Sequence, residues 1–152
     1  MNNMLNHNQL PLILLARAVG LWFRQRVRFM KECIEDIEHG DEENFIVFRK
    51  VIVDPLGGQP DMPGAIFRVQ FRFTRFSVKT NQALSLIPIP FIIAQSGFRS
   101  KTWMSGLKTG AFMGVYEWDS VEDAENYLTS FPLKLMRSRA VADTLTHEII
   151  AI

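Results

Sequence analysis

GFRSKTWMSGLKTGAFMGVYEWDSVEDAENYLTSFPLKLMRSRA, residues 97–140, reads as two short strands, a tight connection, a capped helix and a further helical turn. Phe98 to Met104 is rich in residues that suit a pleated surface, and Ala111 to Trp118 repeats the pattern with Phe112, Tyr116 and Trp118 at even spacing. Ser105–Gly106 and Thr109–Gly110 are turn pairs, so a hairpin is the economical connection. Asp119 with Glu122 has capping-box spacing. Val121, Ala124, Tyr127, Leu128 and Phe131 then recur at helical intervals, and Pro132 ends that helix or opens the next.

Outward from this stretch, Ile66 to Thr74 is the clearest strand, with Phe67, Val69, Phe71 and Phe73 alternating with Arg68, Gln70, Arg72 and Thr74. Ser77 to Ile87 is a weak helical pattern that Pro88 and Pro90 interrupt, and Phe91 to Ala94 restarts it. Thr144 to Ile150 reads as the last strand, with Leu145, His147 and Ile149 on one face. The order β–α–β–β–α–β predicts an α+β, ferredoxin-like domain over residues 65–152. Its four-stranded antiparallel sheet carries both helices on one face. The other face needs cover, and a second copy of the chain in a homodimer is the expected cover, with the N-terminal helix covering part of it as the alternative.

Residues 1–64 read as an N-terminal extension. Met1 to Gln9 is polar and expected to fray. From Pro11 a helical pattern runs to about Glu38, with Leu12, Leu15, Ala16, Val19, Phe23, Val27, Met30, Ile34 and Ile37 on one stripe. Two readings of this amphipathic helix stand side by side. It packs on its own domain or a partner subunit, or it lies on a membrane surface with Trp22 and Phe23 in lipid and Arg24, Arg26, Arg28 and Lys31 on head groups. The apolar run is too short to span a bilayer, which takes roughly 20 residues. A secretory signal is a poor match, since the basic residues follow the run instead of preceding it and no small-residue cleavage site is evident. His39–Gly40–Asp41 stops the helix, Phe45 to Val53 is an extra strand, and Asp54 to Gly64 is a loop rich in proline and glycine.

The chain has 152 residues, a net charge of +1 and an apolar content of 47%, enough for one real core. The near-neutral charge argues against a nucleic-acid partner. Cys33 is the single cysteine, so no intrachain disulfide forms, and a cytoplasmic location is expected, with membrane association under the second helix reading. The three histidines, His7, His39 and His147, show no metal-ligand spacing. No flavin, nicotinamide or metal motif appears, so the expected cofactor is none.

Gly97–Phe98 with Lys101 and Trp103, Gly114–Val115–Tyr116, Asp119, and Ala124 through Tyr127–Leu128 resemble the YdhR-type monooxygenases of the dimeric α/β-barrel superfamily. The resemblance implies a ferredoxin-like fold. It also implies a place among cofactor-independent quinone-forming monooxygenases, polyketide cyclases and haem-degrading enzymes.

A hairpin pairing Met104 with Ala111 puts Trp103 opposite Phe112, Lys101 opposite Gly114 and Arg99 opposite Tyr116, with Trp118 on the same face. Arg99, Lys101, Trp103 and Trp118 are therefore the candidate substrate-binding residues, suited to a flat, partly anionic aromatic molecule. Gly114 leaves room beside Lys101. His147, inside an apolar strand pattern, is the candidate general base, and Tyr116 and Arg72 the candidate oxyanion partners. The same residues also read as core and edge positions. The expected function is a small enzyme acting on a hydrophobic aromatic or polyketide-like substrate by cofactor-free oxygenation. Non-redox cyclisation or dehydration on the same scaffold, and non-catalytic binding of a lipophilic ligand or membrane surface, stand as alternatives.

Overall fold

A computed structural model describes residues 9–152; the fraying expected for Met1 to Asn8 lies outside them. Its elements are α1 (Pro11–Phe23), β1 (Val27–Phe29), β2 (Ile37–His39), β3 (Asn44–Val53), β4 (Ala65–Phe71), α2 (Val78–Leu84), α3 (Ile89–Ile93), β5 (Phe98–Gly106), β6 (Phe112–Trp118), α4 (Val121–Tyr127), α5 (Phe131–Arg139) and β7 (Thr146–Ala151). A single sheet runs β1-β3-β5-β6-β4-β7, and β2 lies beside β1 on the outer edge of β3. Neighbours are antiparallel throughout. The β5-β6-β4-β7 part is the ferredoxin-like order that the sequence predicts. Alternation in β4 sends Phe67, Val69 and Phe71 to the face where Leu14, Ile92, Ala124, Tyr127 and Leu133 from the helices close the main core.

The long N-terminal helix expected to reach Glu38 ends at Phe23 instead. Gln25 takes a left-handed φ of 55°, and the Arg26 N–H closes onto the Leu21 carbonyl at 3.1 Å, a Schellman-type stop without glycine. The following residues pair along β3, with Val27 opposite Val53 and Ile37 opposite Ile46. Helical spacing of the apolar residues continued past the real stop, because a β3 edge far along the chain, not local periodicity, recruits them. Within α1 the face also differs. Leu14 and Ala18 are the buried residues, whereas Leu12, Leu15, Val19 and Phe23 of the expected stripe are exposed. Among the described residues no helix is long and apolar enough to cross a membrane.

Ser120, not Asp119, caps α4: its Oγ accepts the Asp123 N–H at 3.1 Å. Asp119 pairs with Arg99 at 2.7 Å and accepts from Gln59 Nε2 at 2.9 Å, tying the 54–64 loop to the sheet. Ser130 caps α5, which Pro132 opens in its first turn. The β5–β6 hairpin forms, but β5 runs on to Gly106 and the register moves by two residues, putting Trp103 opposite Gly114 and Lys101 opposite Tyr116. The Glu43 carboxylate holds its turn, accepting the N–H groups of Lys108 at 2.8 Å and Thr109 at 2.9 Å.

On the helix-free face, Phe45, Val47, Met104, Ala111 and Met113 form a smaller cluster against which Cys33 packs. This cluster borders an open groove of about 640 Å³ that also takes Arg68, Gln70 and Arg72.

The placement of α1 predicts an asymmetry within one helix. Leu14→Ala, at a residue with no exposure, costs about 2–5 kcal/mol in urea unfolding. Leu12→Ala, at 82% exposure, stays within about 0.5 kcal/mol of wild type. Equal costs would contradict the orientation of α1.

Candidate functional site: a lysine at the floor of an apolar cavity

Between the helix-covered face of the sheet and helices α2, α3 and α5 lies a cavity of about 220 Å³. β4 and β6 contribute Phe71 and Phe112, the helices contribute Leu84, Ile92 and Met136, and β5 contributes Trp103 and Lys101. Ser85 and Arg139 are the other polar side chains that line it. The wall is otherwise hydrocarbon and aromatic ring, the usual surface of a small-molecule site.

Lys101 is only 1% exposed. Its Nζ lies over the rings of Tyr116 at 4.4 Å, Trp103 at 4.5 Å and Phe112 at 5.3 Å from the centroids. It makes no hydrogen bond and no ion pair among the described residues. Burial lowers its pKa well below the usual lysine value, and the Arg49 guanidinium pushes the same way. The ring faces favour the ammonium form but do not replace the lost water. The amine therefore faces an apolar cavity with its charged form disfavoured.

Gly114 makes the space for it. A Cβ at this position would stand 3.3 Å from Lys101 Cε and 3.0 Å from the Tyr116 ring. Arg49 in β3 stacks at 5.6 Å over Trp103, donates to Ser85 Oγ, and donates to the Gln82 carbonyl at 3.2 Å. Arg139 lies 4.9 Å over the Phe73 ring and donates to Asn81 Oδ1 at 2.6 Å.

Of the residues singled out from sequence, Lys101 and Trp103 line the cavity together. The Tyr116 ring supports Lys101 from below, and its hydroxyl accepts from Tyr127 at 3.2 Å inside the core. Burial drives the Tyr116 pKa well up, so the phenol stays protonated. Trp118 is fully buried against Tyr127 and Phe98, outside the cavity lining, and its Nε1 has no hydrogen-bond partner among the described residues. A β-bulge between Phe98 and Ser100 takes Arg99 out of the shared face and into its pair with Asp119. Arg72 lines the groove of the helix-free face. His147 is exposed on the outermost strand, 5.9 Å from the Phe67 ring. His147 and Arg72 both line that groove, while Tyr116 is buried in the core apart from them.

Ser85, Arg139 and Arg49 escaped the sequence reading. Arg49 meets Trp103 only through the β3–β5 pairing, which no local pattern encodes. Among the described residues no group of histidine, cysteine and acidic side chains could hold a metal ion.

No family model and no curated relative matches the chain. Solved structures do. An uncharacterized ferredoxin-fold protein related to antibiotic biosynthesis monooxygenases, from Listeria monocytogenes, superposes with a TM-score of 0.54 at 11% identity, over 74% of this chain and 64% of that one. A heme-degrading enzyme from Listeria monocytogenes gives 0.52 at 12%, over 75% and 74%. An anthrone oxidase-like protein gives 0.51 at 16%, over 72% and 56%. The fold is the ferredoxin-like fold of these neighbours. The chain spans less than two-thirds of the first and third of these neighbours.

The lowered pKa of Lys101 has a thermodynamic signature. Between its folded value and the unfolded value near 10.5, the folded chain binds fewer protons at this site, so stability rises with pH through that window. Lys101→Met removes the rise. The variant gains most over wild type at the low-pH end, and the gap narrows toward about pH 10. Urea unfolding across this range measures it; parallel curves for the two proteins would exclude a depressed lysine.

Proposed function

We propose that the cavity is an active site for a hydrophobic aromatic or polyketide-like substrate and that Lys101 is its general base. The observation that carries this reading is an amine without hydrogen bond or ion pair among the described residues, facing apolar space. A base works best when its pKa lies near the operating pH, and desolvation moves a lysine in that direction. The flat wall of Trp103 and Phe112 suits an aromatic substrate, and the Arg139 guanidinium and Ser85 hydroxyl suit an oxygen-bearing edge.

The reaction that fits is cofactor-free oxygenation of an acidic methylene. Lys101 accepts one methylene proton. The carbanion reduces dioxygen, a C–O bond forms as a peroxide, and loss of water leaves a ketone: one CH₂ and one O₂ give one C=O and one H₂O. Substrate electrons suffice, so the step needs no further reductant. The name of the anthrone oxidase-like neighbour points to this kind of substrate. Haem as substrate fits poorly, because about 220 Å³ is small even for a drug-sized ligand. The same proton abstraction also serves a non-redox cyclisation, and oxygen-isotope incorporation separates the two.

With an anthrone as probe, Lys101→Met lowers the rate about a hundredfold to ten-thousandfold, the scale of a positioned base. His147→Ala, at an exposed edge position, leaves it unchanged. Label from ¹⁸O₂ appears in the product ketone. A Lys101→Met protein that is folded and fully active would sink the assignment.

A homodimer belongs to the same reading, with a second copy over the groove of Arg68, Gln70 and Val115 on the helix-free face. Light scattering at micromolar concentration then reports twice the chain mass, and Val115→Arg halves it.

A further inference from the structure

Helix α1 carries apolar side chains on two sides, and the core uses one. Leu14 and Ala18 are buried and Leu21 packs on the same cluster, where α1 lies against α3. On the other side Leu12, Leu15, Val19, Trp22 and Phe23 form an exposed ridge, with Leu12 and Phe23 at 82% and Trp22 at 61% exposure. An apolar ridge of this kind, ending in two aromatic residues, marks an interaction surface.

Charge says what kind of surface it meets. No acidic residue precedes Glu32 in the sequence, whereas Arg17 lies within α1 and Arg24, Arg26 and Arg28 follow it directly. Arg26 and Arg28 are engaged with Asp54 and Gln59, and Arg24 is exposed at the helix end. Most acidic residues of the extension, Glu32 to Glu43, lie around β2, while Asp54 and Asp61 lie at the other end, where Asp54 pairs with Arg28. The register separates the two groups: β1 pairs with Val51–Val53 at one end of β3 and β2 with Asn44–Ile46 at the other, roughly 20–30 Å away. Four arginines, Arg17, Arg24, Arg26 and Arg28, outnumber Asp54 and Asp61 at the end that carries the ridge, and the far end is acidic. A second copy docked ridge to ridge would bring like charges together, whereas an anionic surface complements them. Exposed Trp also favours the boundary between water and lipid.

We propose that α1 docks on an anionic lipid bilayer, lying in the plane of the interface with the Leu12–Phe23 ridge at the acyl boundary and Arg24 at the helix end on lipid phosphate. α3, on which α1 rests, follows Ile87 and Pro88 of the cavity wall, so docking also brings the cavity near the phase in which a lipophilic substrate dissolves. That last clause rests on the proposed function; the docking does not.

Co-sedimentation of the full chain with vesicles tests it. Binding to phosphatidylcholine vesicles that contain phosphatidylserine is expected to exceed binding to phosphatidylcholine alone by at least tenfold, and to fall with added salt. Trp22→Ser with Phe23→Ser, both at exposed positions, is expected to weaken binding at least tenfold with an unchanged melting temperature. The proposal is overturned if the wild type stays in the supernatant, or if the double variant or the neutral vesicles bind as well. It is equally overturned if light scattering shows that the double variant splits a wild-type dimer.

Discussion

Strand β5 is hydrogen-bonded on both edges, to β3 on one side and β6 on the other, and this double pairing fixes the candidate site. A ferredoxin-like sheet on its own would leave this strand at the rim, where a lysine reaches water along its own stem. Here Arg49 stands opposite Trp103 from the β3 side and Gly114 opposite it from the β6 side. Lys101 is thereby held at the centre of a wide sheet, beneath three helices and among three rings. Its burial is a consequence of strand order.

A fully buried ammonium without an anion is costly, several kcal/mol even after relaxation. Stacking on three aromatic faces offsets part of that cost. Burial shifts the balance toward the neutral amine, and the Arg49 guanidinium pushes the same way. The same arithmetic explains the phenols beneath it, since burial raises the pKa of Tyr116 and Tyr127 alike. Under the proposed function, the amine would then accept a substrate proton without competition from these protonated phenols.

Much of this was legible from sequence, and parity explains which parts. The hairpin register differs from the expected one by two residues, and a shift of two leaves every side chain on its face. Lys101, Trp103, Tyr116 and the space at Gly114 are therefore where alternation places them. Arg99 is not, because a bulge adds one residue and breaks the parity locally. His147 sits opposite Val69 as alternation implies, but β7 is the outer strand and its middle stays exposed. Local pattern carries the facing of a side chain; it does not carry which strands end up outermost. The N-terminal helix fails for a related reason. A left-handed glutamine is no recognisable stop, and the next residues join a strand edge assembled from elsewhere in the chain.

The extension accordingly decides the chemistry of the cavity as well as its walls. The boundary near residue 64, visible in sequence as a change of composition, runs through the site: β3 is hydrogen-bonded along β5, and its Arg49 reaches across to Ser85 and Gln82 behind α2. Arg49 thus fastens α2 to the sheet edge and supplies the positive charge that disfavours a proton on Lys101. Removing that guanidinium would loosen the cavity wall and raise the lysine pKa together, and under the proposed function both effects would work against proton abstraction. The strand that extends the sheet is therefore coupled to the reactivity of a side chain on its neighbour, through one arginine and the low polarity around it.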